Sequence, residues 1–279
     1  MESDRGSVSS ADAALEPLTP GALIRLTSGP LTVDIAPAAG GRIAQIVRDD
    51  IEWLIGYSER DAAMIAWGSY PMLPWAGRVR RGRFDFDGRA FQIPVNFGGH
   101  AIHGVGLALP WRVEARSPVH ADLSLHLPED QRWPFGGAAR QRIEVSESAV
   151  RLRLSVTAEK CAMPAVIGWH PWFRKPDRLE FKPSAMYPLD AEGIAVRPLR
   201  QPAPGPWDNC FVNTEPVLLE RGGQRLRLTS NCTHWVVYDQ PAHATCIEPQ
   251  SGPPDAFNLE PATLAAGASI DAWFLLEWL

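Results

Sequence analysis

The chain has 279 residues, of which 45% are hydrophobic and 21% charged, with a formal net charge of −5. That balance describes a globular protein with a sizeable core, in one or two domains. An acidic chain whose one basic concentration is Arg78, Arg80, Arg81 and Arg83 is not a general nucleic-acid binder, and no apolar run is long enough to span a bilayer.

Residues 1–20 are rich in Ser, Ala and acidic side chains and lack the apolar centre of a signal peptide, so they read as a disordered lead-in to a domain over residues 21–279. Residues 31–35 alternate between apolar and polar, and Gly40-Gly41 leads into a second alternating run over 42–47. Helical periodicity is scarce, and only residues 60–67 offer a turn or two. Pro74-Trp75-Ala76-Gly77-Arg78 presents an arginine after a small, glycine-containing turn. A guanidinium there can give paired hydrogen bonds to vicinal hydroxyls or to a phosphate, or form a surface salt bridge. Asp87-Gly88 between two period-2 runs predicts a tight hairpin, since both turn residues tolerate positive φ. Gly98-Gly99-His100-Ala101-Ile102-His103-Gly104 sets two histidines three apart in a glycine loop. With no Asp, Glu or Cys nearby to complete a zinc set, no metal is expected.

Residues 141–145 and 150–156 flank Ser146-Glu147-Ser148 as another hairpin. Val166-Ile167-Gly168-Trp169-His170-Pro171-Trp172-Phe173 then places one imidazole among aromatic residues, directly before a proline. The proline biases His170 toward extended backbone at a strand end. Partial dehydration lowers a histidine pKa toward or below neutrality. The competing reading is a core-edge histidine satisfied by a carbonyl. Trp207-Asp208-Asn209-Cys210-Phe211 places a carboxylate just before a strand, which is ordinary turn chemistry. Strands are expected over 226–229, 234–238 and 244–247, and Glu248-Pro249 repeats the design of an acid/base group before proline. In an extended segment Ala244, Cys246 and Glu248 share a face, as do Gly168 and His170, and the small residues leave space beside the titratable ones. Residues 270–276 close the chain.

Twenty-six prolines and 23 glycines punctuate these short runs. The pattern predicts an all-β fold, a sandwich or barrel, with no repeat and no dividing linker. Cys161, Cys210, Cys232 and Cys246 are widely spaced and form no Cys-x-x-Cys pair, so they read as free, mostly buried thiols of a reducing, cytoplasmic compartment. Among 11 tryptophans, Trp67, Trp75, Trp172 and Trp207 lie beside the polar motifs, where an indole face can stack on a sugar ring or simply fill the core. There is no Gly-x-Ser-x-Gly elbow, Walker loop or dinucleotide fingerprint. Glycoside hydrolysis would engage Asp208 and Glu248 but leave His170 without a part.

In order, Pro71-Met72-Leu73-Pro74-Trp75-Ala76-Gly77-Arg78-Val79-Arg80-Arg81-Gly82-Arg83-Phe84, His103-Gly104, Gly168-Trp169-His170-Pro171-Trp172-Phe173, Asp208-Asn209-Cys210-Phe211 and Glu248-Pro249 resemble the aldose 1-epimerase (galactose mutarotase) family. The likeness runs from about residue 30 to the C-terminus. It implies a single-domain, large antiparallel β-sandwich, the galactose mutarotase-like supersandwich, with a sugar site in an open cleft. It also implies interconversion of the α and β anomers of a hexose by acid/base ring opening, with no cofactor and no metal. Carried over by position, Glu248 is the general base and His170 the general acid, and His103 lies near the ring oxygen. Arg78 and Asp208 hold hydroxyls, and Trp172 joins them in binding substrate. The expected partner is a small sugar, with neither nucleic acid nor membrane, and the protein is a monomer or homodimer. One departure is Gly77, where many relatives carry asparagine, and it bears on sugar preference. Two alternatives remain. In the first, the arginine cluster clamps a phosphate, giving a hexose-6-phosphate 1-epimerase, although alternation puts Arg81 and Arg83 on one face and Arg80 on the other. In the second, the cleft belongs to a non-catalytic sugar-binding domain of the same fold.

Overall fold

Alternating sequence becomes alternating burial. Ala149–Thr157 turns Val150, Leu152, Leu154 and Val156 inward and Arg151 and Arg153 outward, and His120–His126 buries Ala121, Leu123 and Leu125 in the same way. The structure, a computed structural model, describes residues 12–57 and 62–279. Two large antiparallel sheets dominate the described residues. The first runs, in spatial order, Ile24–Ser28, Leu31–Ala36, Arg42–Arg48, Ser69–Met72, Gly168–Arg174, Ala244–Gln250, His234–Tyr238, Asp208–Val212 and Ala185–Met186, with Ile51–Glu52 paired to the third strand. The second runs Arg112–Arg116, His120–His126, Ala138–Val145, Ala149–Thr157, Ser269–Trp278, Gln224–Ser230, Val217–Arg221 and Arg178–Glu180.

One continuous core joins the two sheets, so the chain is a single-domain, all-β sandwich. Trp169 of the first sheet donates its Nε1–H to Gln141 of the second at 3.0 Å and lies 6.0 Å from the Phe274 ring. The predicted hairpin is Arg83–Phe86 and Arg89–Gln92, with Asp87 and Gly88 at φ 49° and 71°. Three of the four cysteines are buried and all four are free. No helix of the described residues is long and apolar enough to cross a membrane.

Four expectations need correction. The lead-in expected through residue 20 is shorter at its described end: Ala14 is buried, its amide donates to the Asn96 carbonyl at 3.0 Å, and Met64 donates to Glu16 at 2.8 Å. Of the helical stretch proposed over 60–67, residues 60 and 61 lie outside the described residues and the remainder forms turns. The carbonyls of Met64 and Trp67 there point at a buried arginine. The described α-helix, Ala256–Leu259, was not foreseen, being too short to show a period. Neither His170 nor Glu248 ends a strand, because both strands continue through Pro171 and Pro249. The two strands pair at Gly168↔Gln250 and again at Trp172↔Cys246, Phe173↔Thr245 and Arg174↔Ala244, and the ladder is interrupted in between. A proline costs a ladder hydrogen bond only where one would form, so both are tolerated at that gap.

Candidate active site

The interrupted ladder positions the central pair. Gly168↔Gln250 and Trp172↔Cys246 bracket His170 and Glu248, which face each other across neighbouring strands, His170 Nε2 standing 3.2 Å from Glu248 Oε1. Gly168 does not provide ligand space, as its small size suggested. A Cβ there would lie 2.3 Å from the Pro249 carbonyl oxygen, so the glycine admits the neighbouring strand. The imidazole is held by aromatic rings. It stacks with Tyr70 at 4.9 Å and with Trp172 at 5.5 Å, and His103 meets it edge-on at 4.8 Å. The Tyr70 hydroxyl and the Trp172 Nε1–H both donate to the Ile65 carbonyl, at 3.1 and 2.6 Å. Ring orientation is thus fixed by backbone on a third segment.

Burial displaces both partners. Burial, with the Arg42 cation as a smaller contributor, pushes the His170 imidazole below its ordinary value. Burial and then the Asp208 charge push Glu248 well above its ordinary value, opposed by the Gln250 amide and by Arg78. Both directions favour a protonated carboxyl beside a neutral imidazole. His103 is also pushed well down by burial, then by His170 and Arg78, which keeps its ring neutral. The Nδ1 atoms of His103 and His170 and the Gln250 Oε1 are buried without a hydrogen-bond partner among the described residues, leaving polar capacity for a ligand.

A cavity of about 320 Å³ opens over this pair and is lined by every site residue named from the sequence: Arg78, His103, His170, Trp172, Asp208 and Glu248. Arg78 lies on the short strand Arg78–Val79, paired with Ala101–Ile102, and its guanidinium stands 5.7 Å over the Phe97 ring. Asp208 opens its strand opposite Tyr238, and burial raises its carboxyl against the pull of Arg78. His100 does not join His103. Its Nδ1 accepts the Arg81 amide at 3.1 Å, away from the cavity. The other arginines are committed elsewhere. Arg80 pairs with Asp190 at 2.5 Å and with Glu192 at 3.4 Å, Arg81 pairs with Glu192 at 2.5 Å, and Arg83 donates to Gln92 at 2.8 Å. Only Arg78 of that cluster lines the cavity, which removes the four-arginine phosphate clamp.

Sequence reasoning missed Tyr70, which stacks on His170, the segment 189–195, which supplies Leu189, Gly193, Ile194 and Ala195 to the cavity lining, and above all Arg42. Arg42 is fully buried, with no carboxylate partner among the described residues. Its donors reach the carbonyls of Ala39 (2.6 Å), Met64 (2.8 Å), Trp67 (3.2 Å) and Leu107 (3.0 Å). It stands 4.2 Å over Trp67 and 5.0 Å over Tyr70, and burial lowers its pKa to about 9. A charge directly after Gly40-Gly41 was the available signal. His170, Cys246 and Glu248 bring their potential ligand atoms within 4.8 Å of one another. Burial drives the Cys246 thiol well up. A larger open concavity of about 860 Å³ lies on the outer face of the second sheet, but none of the predicted residues lines it.

The sequence profile of the aldose 1-epimerase family matches residues 22–277. YphB of Escherichia coli (strain K12), an uncharacterised protein, is 30% identical over 152 residues, 53% of this chain and 50% of its own length. The match thus spans half of that relative. YihR of the same organism, also uncharacterised, is 21% identical over 269 residues, covering 85% of this chain and 86% of its own. In fold, the chain is similar to a galactose mutarotase-like protein of Clostridium acetobutylicum, with TM-score 0.81 and 14% identity, covering 92% of this chain and 95% of that one. A GalM/aldose epimerase homologue from C. elegans gives TM-score 0.81 at 16% identity, covering 92% and 98%.

Proposed function

The chain belongs to the aldose 1-epimerase family, and from that premise we propose that it interconverts the α and β anomers of an aldose by acid/base ring opening. With sugar bound, the proton passes from Glu248 to His170 across their 3.2 Å contact; Glu248 then takes the proton of the anomeric hydroxyl while His170 protonates the ring oxygen. The C1–O5 bond breaks, C1 becomes a carbonyl, and rotation about C1–C2 presents its other face. On closure O5 attacks C1, His170 recovers its proton from O5, and Glu248 returns its proton to the former carbonyl oxygen. The pair ends as it began. His103, neutral, sits beside His170 toward the ring oxygen; Arg78 and Asp208 hold hydroxyls, and Trp172 offers an indole face.

One observation carries this reading: two groups 78 residues apart in sequence, His170 and Glu248, meet at 3.2 Å under one cavity. Each positioned acid or base contributes roughly 10²–10⁴-fold. The test is polarimetry of freshly dissolved α-D-glucose and α-D-galactose. Wild type should accelerate mutarotation, and Glu248→Gln and His170→Asn should each lose about 10²–10⁴-fold in kcat. Saturable sugar binding without acceleration would replace the reading with a binding domain. Acceleration confined to glucose 6-phosphate would shift the substrate to a phosphorylated one.

A further inference from the structure

The proton chemistry proposed above uses His170 and Glu248 but has no part for Cys246, the third donor beside them. We propose that these three side chains bind Zn²⁺ and that the bound ion blocks mutarotation. The ion is an inhibitor, not a cofactor; the site stands on its own geometry, and the inhibition rests on the reading above. Cys246 and Glu248 lie two residues apart on one face of the strand Ala244–Gln250. The neighbouring strand sets Trp172 opposite Cys246, and the His170 imidazole reaches Glu248 across the interrupted ladder. A ring nitrogen, a thiol sulfur and a carboxylate oxygen thereby come within 4.8 Å of one another. All three side chains are buried.

The spacing suits a tetrahedral ion. Bonds of about 2.0–2.2 Å to nitrogen and oxygen place those two ligands about 3.3 Å apart, and His170 Nε2 stands 3.2 Å from Glu248 Oε1. A zinc–sulfur bond of about 2.3 Å puts the sulfur about 3.6 Å from each of them, within reach of a shift of about 1 Å. The other carboxylate oxygen accepts from the Gln250 amide at 3.1 Å, the kind of outer hydrogen bond that orients a ligating carboxylate. His170 and Glu248 line the cavity and Cys246 does not, so a fourth position faces the space offered to the sugar. Mixed sulfur, nitrogen and oxygen donors favour a borderline-soft ion over Mg²⁺ or Ca²⁺, which prefer oxygen. A thiolate and a carboxylate together cancel the charge of the ion, so the loaded site adds no net charge beside Arg42 and Arg78. Binding releases the thiol proton and the proton held by the His170–Glu248 pair. The ion then occupies the nitrogen and the oxygen that ring opening needs.

Zinc uptake is measured by equilibrium dialysis with metal analysis, and mutarotation of α-D-galactose by polarimetry with and without ZnCl₂. Wild type should bind one ion per chain, lose mutarotation as the site fills, and regain it on addition of EDTA. Cys246→Ala should bind zinc more than about tenfold more weakly, while keeping a mutarotation that the same zinc no longer stops. Cys246→Ser, nearly equal in volume, repeats the comparison should the alanine variant misfold. Cys161→Ser, at the exposed thiol, should behave as wild type. With Co²⁺ in place of Zn²⁺, wild type should show sulfur-to-cobalt charge-transfer absorption that both Cys246 variants lack. No uptake by wild type, or uptake or inhibition unchanged in the Cys246 variants, would overturn this inference and leave the anomerase reading standing. Uptake through Cys246 in a wild type that accelerates no sugar would overturn that reading, and the inhibition with it, and keep the metal site.

Discussion

In the proposed reaction Glu248 and His170 act with a single proton between them, so activity should have a pH limit on each side. A second proton added to the pair blocks the base, and loss of the shared one removes the acid. A bell-shaped kcat/KM profile is expected. Its alkaline limb lies above the ordinary carboxylate range, because burial, then Asp208, raises Glu248. Asp208→Asn removes the second of these causes and should move the alkaline limb to lower pH, a displacement that mere loss of a hydroxyl contact would not produce. Stability follows the opposing signs. The raised pKa of Glu248 means its stabilisation is present below the unfolded value near 4.5 and is lost as pH rises through the folded value. Glu248→Gln, a neutral isostere, should therefore raise the melting temperature at pH 7 while removing activity. The depressed pKa of His170 stabilises above 6.5 and the benefit is lost as pH falls, so His170→Gln should flatten the acid side of the melting curve. The two residues that meet under the cavity, His170 and Glu248, stood out in the sequence because each is a titratable residue in an apolar run before proline. Tyr70 and Arg42 were not, since their roles come from burial against segments distant in sequence.

Among the elements, the turn Arg80–Gly82 is distinctive: Arg81 sits at φ 51° with its amide capped by His100. From it Arg80 and Arg81 reach Asp190 and Glu192 on the segment that also supplies Leu189 and Ile194 to the cavity rim. These ion pairs clasp two sides of the cleft at its mouth. Exposed pairs of this kind are individually weak and are screened by salt. Arg80→Gln should raise KM a few-fold with kcat retained, and KM in the variant should respond less to added salt than in wild type. Alternation revealed where strands lie, as with Ala149–Thr157, and Asp87-Gly88 revealed its hairpin. The two X-Pro steps misled because proline is a strand-breaker only against a formed ladder, and these two prolines share a gap.

Across the whole molecule, the cleft is assembled from segments that local sequence cannot relate. Ser69–Met72 enters the first sheet between Arg42–Arg48 and Gly168–Arg174, a pairing that period and turn chemistry leave open. Arg42 fastens three such regions through the carbonyls of Ala39, Met64, Trp67 and Leu107. Arg42→Met strands those acceptors and should destabilise the fold by roughly 3–5 kcal/mol, read as a lowered melting temperature. Deleting residues 1–20 removes Leu15 from the cavity rim but no strand of either large sheet. KM should rise several-fold with kcat held. Gly77 carries one consequence further. It sits at φ 67°, and a Cβ there would meet Pro254 at 2.7 Å, so the place of the asparagine side chain that the family resemblance leads one to expect is occupied here by a ring from the far end of the chain. Grafting that asparagine back is a two-site problem. The single replacement should lower the melting temperature unless position 254 shrinks with it, so any redesign of this cavity must treat the two positions as one unit.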